Sequence, residues 1–194
     1  MRPIAEAPLS EHFCVFETDI GPCGIAWSKS GVTRFQLPEA TREATERRLQ
    51  AAANRPTVAA PPPGIARAIV DLQRYFTGEQ AELTHIAVDL TGVSPFYSRV
   101  YEATRQIGWG ETLTYGELAQ RAGSPGAARG IGQAMSRNPI PVIIPCHRVL
   151  ASGNKIGGFS AFGGTTSKER LLGLEGVRVG RQQDKRQLSL SERW

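Results

Sequence analysis

The stretch TYGELAQRAGSPGAARGIGQAMSRNP, Thr114–Pro139, decides how the second half of the chain is read. Thr114 followed three residues later by Glu117 is a capping box, which satisfies two of the backbone N–H groups that a helix start leaves open. Leu118 and Ala119 give the short helix its apolar side, and Gly123 closes it. Ser124-Pro125 opens a second helix, with proline where a missing N–H costs nothing, and Asn138-Pro139 stops it after about Arg137. Two short helices joined by a tight glycine-containing turn make a helix-turn-helix pattern. Such pairs also pack inside enzymes that never touch nucleic acid, so the pattern leaves the partner open. The second helix, Gly126-Ala127-Ala128-Arg129-Gly130-Ile131-Gly132-Gln133-Ala134, has almost no side-chain bulk except one arginine. Each helical glycine costs about 1 kcal/mol relative to alanine, a cost that close approach to another surface, nucleic acid or protein, accounts for.

Working outward, Ser94-Pro95 caps a helix whose stripe Phe96, Val100, Ala103 and Ile107 predicts about three turns. Val142-Ile143-Ile144 reads as a short buried strand broken by Pro145, and Ser167 caps a last helix through Leu174. Before Gly92 the character changes. FCVFET, GIAWS and VTRFQL, separated by Gly21-Pro22 and Lys29-Ser30-Gly31, predict a meander of strands. Residues 39–53 predict a helix ended by Asn54, and Pro56 with Pro61-Pro62-Pro63-Gly64 marks a loop. Ile65, Ile69, Leu72 and Phe76 predict a helix that Gly78 ends, and Ile86–Leu90 a further strand. The expected fold is an α/β N-terminal domain over 1–91, with a small antiparallel sheet and helices. A mostly α-helical C-terminal domain containing the helix-turn-helix follows over 92–176, then a polar, basic tail over 177–194.

A chain of 194 residues, 40% hydrophobic and 21% charged, fits one good-sized domain or two small ones and excludes global disorder. No run approaches the roughly 18 to 20 apolar residues that span a bilayer, and MRPIAEAPLSEHF lacks the apolar core of a signal peptide, so a cytosolic protein is expected. The net charge of +5 is uneven. Up to Gly92 there are nine Lys/Arg against eleven Asp/Glu, and from there to Gly176 nine against five. The basic excess, which suits a polyanionic partner, belongs to the C-terminal half and tail. Three cysteines are too few and too odd for a disulfide framework, which fits a reducing compartment.

Of these, Cys14 and Cys23 lie in apolar strand context and read as small buried hydrophobes. Cys146, in Ile144-Pro145-Cys146-His147-Arg148-Val149, is different. A thiol at the end of a rigid element, beside an imidazole and a guanidinium, sits where positive charge lowers its pKa and raises the thiolate fraction. Neighbours along a strand point to opposite faces, so a turn or a bridging water is needed to bring His147 to the sulfur. A carboxylate must then orient the imidazole, and Glu175 at the end of the last helix is a candidate.

Five blocks in order now form a larger pattern: Asn138-Pro139-Ile140-Pro141, Pro145-Cys146-His147-Arg148-Val149, a glycine-rich loop, Lys168-Glu169-Arg170-Leu171-Leu172, and Glu175-Gly176. From about Ser94 to Gly176 the chain resembles the O6-alkylguanine-DNA alkyltransferases, also called methylated-DNA–protein-cysteine methyltransferases. The N-terminal part matches only in general character, and the resemblance implies a ribonuclease-H-like domain there. The resemblance further implies direct-reversal DNA repair: Cys146 takes an alkyl group, typically methyl, from O6 of guanine, or less efficiently from O4 of thymine, in one irreversible step after base flipping. His147 would be the base acting through a water, Glu175 the carboxylate holding its imidazole, and Asn138 the tie around that network. Tyr115 would line the pocket, rotate the target phosphate and help protonate the departing guanine. Arg129 would enter the duplex through the minor groove and replace the extruded base, with Ala127, Ala128 and Gly132 allowing close approach. The carbonyls of Cys146 and Val149 would accept from the guanine amino group, the amide of Ser160 would face O6, and Phe159 would stack in the pocket. No cofactor is implied. The implied partner is double-stranded DNA containing alkylated bases, bound by a monomer away from any membrane, in the cytoplasm or a nucleus.

The pocket loop departs from the family. Gly158-Phe159-Ser160-Ala161-Phe162-Gly163-Gly164 carries phenylalanine where many members have tyrosine, and two extra residues before the glycines. Some members hold a structural zinc; here His12, Cys14, Cys23 and His85 are the available ligands of the N-terminal part, and their spacing matches no standard zinc motif. Two other readings compete. A protein that flips alkylated bases without repairing them would lack the cysteine, and a regulator switched by its own alkylation would have a four-cysteine zinc module.

Overall fold

A computed structural model describes residues 10–53, 56–160 and 163–179. The meander predicted from the first three apolar runs holds in space. β1 (His12–Phe16), β2 (Cys23–Ser28) and β3 (Gly31–Gln36) pair antiparallel in chain order, with Phe13 opposite Ala26 and Ile25 opposite Phe35. A strand not anticipated, β4 (Thr57–Val58), lies parallel to β1, so the sheet is mixed, in the order β3-β2-β1-β4, and not purely antiparallel. Two residues carry too little alternation to announce a strand, and the free edge of β1 makes it one. Ile86–Leu90 does not form the expected strand. Only Val88 bridges to Val32, after which Asp89 bonds the Ser28 hydroxyl and the Thr91 amide and turns the chain away.

All six residues of β2 are buried because both of its faces are covered. On one face Ala26 packs with Phe13, Leu49 and Ala53 under α1 (Arg42–Ala52); on the other, Cys23, Ile25 and Trp27 join the core that takes Ile65, Leu72 and Phe76 from α2 (Pro63–Phe76). α1 begins at its Thr41 cap and α2 inside the proline run, with Pro63 in its first turn.

The C-terminal half is built from short pieces. α3 (Pro95–Arg105) has Ser94 as its cap, and α4 (Tyr115–Arg121) has both bonds of the Thr114–Glu117 capping box. α5 (Ala128–Ser136) starts later than Ser124-Pro125 suggests: Ser124–Ala127 is a turn closed by Ala127 N–H to the Ser124 carbonyl, 3.1 Å, and Gly126 has φ +84°, outside the helical region. α4 and α5 pack on each other and on α3. Val142–Ile144 is a turn, not a strand. Asn138 donates to the Ile144 carbonyl and accepts from the Ile140 amide, folding the segment back, and Val142 is held at φ +72°, a conformation that strains a β-branched residue by roughly 1–3 kcal/mol. β5 (Leu113–Thr114) and β6 (Val149–Leu150) form a small parallel pair. α6 (Gly164–Leu174) begins three residues before the expected Ser167 cap, with Gly163 as the capping residue.

One core cluster runs from Cys23 through Tyr75 and Val100 to Leu171, crossing the expected boundary at 91/92. The Phe35 amide also bonds the Pro139 carbonyl, 3.0 Å, which ties β3 to the loop that leads to Cys146. No described helix is long and apolar enough to cross a membrane. The N-terminal residues up to Leu9, the Asn54 helix stop, the inserted pair Ala161-Phe162 and the tail beyond Val179 lie outside the described residues.

Candidate active site around Cys146

Pro145 hands the chain to a single 3-10 turn, Cys146–Arg148, closed by the Arg148 amide on the Pro145 carbonyl, 2.9 Å. The turn is what a strand could not provide, because it takes three consecutive side chains out of strict alternation and buries them together. Cys146 is 7% exposed and His147 fully buried. The sulfur's residue lines a cavity of about 220 Å³ with Tyr115, Gly132, Met135, Phe159 and Ser160, and forms part of the wall of a second, about 310 Å³, shared with Arg34, Arg137 and Asn138.

Behind His147 stands Glu175, the residue that ends α6. Its Oε1 lies 2.7 Å from His147 Nε2 and accepts from Tyr75 Oη (2.6 Å) and an Arg148 NH2 nitrogen (2.9 Å); its Oε2 accepts from Arg148 Nε (2.9 Å) and the Gly110 amide (3.4 Å). Burial alone would raise the carboxyl's pKa, but the hydrogen bonds and charges of His147 and Arg148 outweigh it and hold it at about 2. An ionised Glu175 fixes the proton of a neutral His147 on Nε2. The other ring nitrogen, Nδ1, is then a lone-pair acceptor, and it is buried with no hydrogen-bond partner among the described residues. Burial moves the His147 pKa below its ordinary 6.5 in spite of the adjacent carboxylate.

The thiol behaves differently from the sequence expectation. Burial pushes the Cys146 pKa up, and the Asn138 side-chain amide, Lys168 and the amides of Cys146 and His147 offset only part of this. The Arg148 guanidinium, expected to activate the thiol, is turned to Glu175 and the Ile107 carbonyl. The resting sulfur is therefore a protonated thiol whose deprotonation needs a local base. Lys168 went unrecognised as a site residue. It is fully buried, donates to the Val149 carbonyl (2.5 Å) and has a pKa brought down to about 8 by burial. Its signal was present, since Lys168, Leu171, Leu172 and Glu175 recur at the three- and four-residue spacing of one buried helix face. Tyr75 was also missed; Leu72 and Phe76 put it near the buried side of α2, but nothing local points to a carboxylate one hundred residues away.

Val149, expected as a pocket residue, is fully buried and does not line the cavity, and its carbonyl is already engaged by Lys168. Phe159 and Ser160 line the cavity, and Tyr115, first in α4, packs its ring against Gly157, where a Cβ would meet Oη at 3.3 Å. Burial raises the Tyr115 pKa, and so does the charge of Cys146, so the phenol keeps its proton. Arg129 and Ala128 are exposed at the start of α5, and Ala127 is half-buried before it. The helix glycines divide. At Gly130 a Cβ would come within 3.1 Å of the Phe96 ring, so this glycine serves packing inside the protein, while Gly132 meets nothing and opens onto the cavity. Among the described residues no three His, Cys, Asp or Glu side chains converge on a metal site; His12 bonds Thr57 and His85 bonds Asp71.

Residues 95–177 match the DNA-binding domain family of 6-O-methylguanine DNA methyltransferase. The methylated-DNA–protein-cysteine methyltransferase of Mycobacterium tuberculosis is 38% identical over 169 residues, 87% of this chain and 94% of that protein. The crystal structure of Mycobacterium tuberculosis OGT in complex with DNA superposes with a TM-score of 0.68 at 36% identity, covering 84% of this chain and 92% of that one. The O6-methylguanine-DNA methyltransferase of Pyrococcus kodakaraensis gives 0.65 at 25% identity, over 86% and 99%.

Proposed function

The chain belongs to the methylated-DNA–protein-cysteine methyltransferase family, and from that premise we propose how its own residues carry out DNA repair by alkyl transfer. The observation that carries the reading is the buried Nδ1 of His147, a lone-pair acceptor without a partner among the described residues, next in sequence to a cysteine that lines a pocket. The Cys146 proton passes to His147, through a water, and Glu175 stabilises the imidazolium that forms. The thiolate attacks the alkyl carbon on O6: a C–S bond forms, the C–O bond breaks, and its electron pair leaves on the guanine. Tyr115, which holds its proton, is placed in the pocket to supply one to that leaving group. The product is a thioether at Cys146, so each molecule reacts once.

Alkyl groups on O6 of guanine, and on O4 of thymine as the poorer substrate, are out of reach inside a stacked duplex, so the nucleotide must be flipped into the pocket. In this reading α4 and α5 act as a helix-turn-helix that meets the minor groove. Arg129 fills the place of the extruded base, and small Ala127, Ala128 and Gly132 let the helix approach closely. Asn138 keeps the turn before Cys146 in register. The Ser160 amide faces O6, Phe159 stacks, and the carbonyls of Cys146 and Val149 read the amino group, Val149 through the lone pair that Lys168 leaves free. The protein acts as a monomer, with residues 92–176 as the reactive unit. Incubation with duplex DNA holding one O6-methylguanine adds about 14 Da to a peptide containing Cys146. An unchanged mass with the lesion intact, or transfer persisting in Cys146→Ala, overturns the assignment.

A further inference from the structure

The proposed chemistry draws on residues of the C-terminal half, yet one of the closest contacts to its acid–base pair comes from the other half. Tyr75 is the second-last residue of α2, 0% exposed, with its ring edge-on to Trp109 (5.3 Å between centroids) and to Phe76 (5.2 Å). Its hydroxyl donates to Glu175 Oε1 at 2.6 Å and lies 3.2 Å from His147 Nε2, and these are its hydrogen-bonding neighbours. A phenylalanine would fill the same apolar space without a polar atom to satisfy, so packing accounts for the ring but not for the oxygen.

We propose that Tyr75 is a positioning residue for alkyl transfer, its hydroxyl pinning Glu175 Oε1 over Nε2 of His147 so that the imidazole keeps its free lone pair on Nδ1, the nitrogen that receives the Cys146 proton. Arg148 fixes the plane of the carboxylate through two nitrogens, but a carboxylate held only on that side could shift along the fork and lose the imidazole. Tyr75 approaches from α2 and closes that direction. When His147 gains a proton, the hydroxyl oxygen also stands within reach of the new charge at Nε2. The other charged groups that act on the His147 ring are Glu175, Arg148 and Lys168, from the turn, α6 and its capping residue, so Tyr75 is the contribution of the N-terminal half. This inference rests on the proton relay described above.

The test uses the full chain. Tyr75→Phe keeps the ring and removes the oxygen, and Tyr75→Leu removes both. Single-turnover transfer from duplex O6-methylguanine is expected to slow about tenfold in Tyr75→Phe with an unchanged Kd for the duplex. The 15N signals of His147 are expected to report the Nε2–H form in the unsubstituted protein and to move toward a mixture of the two ring forms in Tyr75→Phe. A wild-type rate with unmoved signals in Tyr75→Phe, the loss appearing only in Tyr75→Leu, would reduce Tyr75 to packing and overturn the proposal. Observation of Nδ1–H in the unsubstituted protein overturns it whether or not any variant folds. If Glu175→Gln also transfers at the wild-type rate, the relay itself falls; if Glu175→Gln is slow and Tyr75→Phe is not, only the role of Tyr75 does.

Discussion

The two halves bury polar groups in opposite ways. In the N-terminal half the buried polar side chains are hydroxyls and two aspartates, each next to a close partner: Ser10 on Thr33, Ser28 on Asp89, Asp71 beside Arg67 and His85. In the C-terminal half His147, Arg148, Lys168 and Glu175 are all buried within one region, with exposures of 0 to 7%. Removing ions from water is costly, and replacing such a cluster with apolar residues often leaves a fold as stable or more so. The N-terminal half thus follows the rules of a stable sheet, and the C-terminal half breaks them around the proposed proton relay.

Breaking the cluster should separate these two kinds of burial most sharply. Glu175→Gln removes the ionised acceptor shared by His147, Arg148 and Tyr75; transfer is expected to fall by about 10²-fold or more, and the stranded Arg148 to lower stability by about 3–5 kcal/mol in a urea titration. A matching change in the other half, Ser28→Ala, leaves transfer unaltered.

Acid distinguishes the halves next. Glu175 has a folded pKa of about 2 against an ordinary 4.5, so the stability it supplies is fully present above pH 4.5 and is lost as pH falls toward 2. Because burial puts His147 below 6.5 and Cys146 above 9.0, the base stays neutral and the thiol protonated between those values. The transfer rate is expected to be flat from about pH 6.5 to 9 and to fall on acidification below it. A rate rising steeply through pH 7 to 9 would mean that the thiol ionises without His147.

Arg129→Ala sharpens the contrast on the exposed side. It should slow repair of duplex DNA about tenfold while leaving transfer from a free O6-alkylated guanine base and the melting temperature nearly unchanged. Equal losses on both substrates would contradict base displacement. Smallest is Gly132→Ala, where a Cβ meets nothing: helix propensity should add up to about 1 kcal/mol, raising Tm by about 2–4 °C. Duplex repair should fall, because the methyl group narrows the face of α5 turned to the cavity.

What could be read in the sequence follows the range of the interactions. Capping at Ser94 and at Thr114–Glu117 is local, and these helix starts were legible to the residue. The α5 start was misread because Ser124-Pro125 looks the same opening a turn as opening a helix, and only Gly126 at positive φ separates them. β4 and the Val142 turn depend on partners brought by the fold. In the site, Cys146 and His147 stood out as a motif, and Glu175 as a candidate carboxylate to which the family resemblance then gave a role. Tyr75 remained hidden because its polar partner lies one hundred residues away, whereas Lys168 carried a signal, a charged residue at the spacing of a buried helix face, that was not read as part of the site.

The core that crosses residue 91 has a consequence for a protein whose key sulfur is used once. Outside the folded core Cys146 would be an exposed thiol at its ordinary pKa of 9.0, whereas in the folded chain it is 7% exposed and burial pushes its pKa above that value. Burial thus lowers the thiolate fraction of the resting sulfur and leaves its deprotonation to the buried imidazole beside it. The shared core thereby acts as a safety catch, shielding an irreversible acceptor from stray electrophiles that a bare thiol would meet in water.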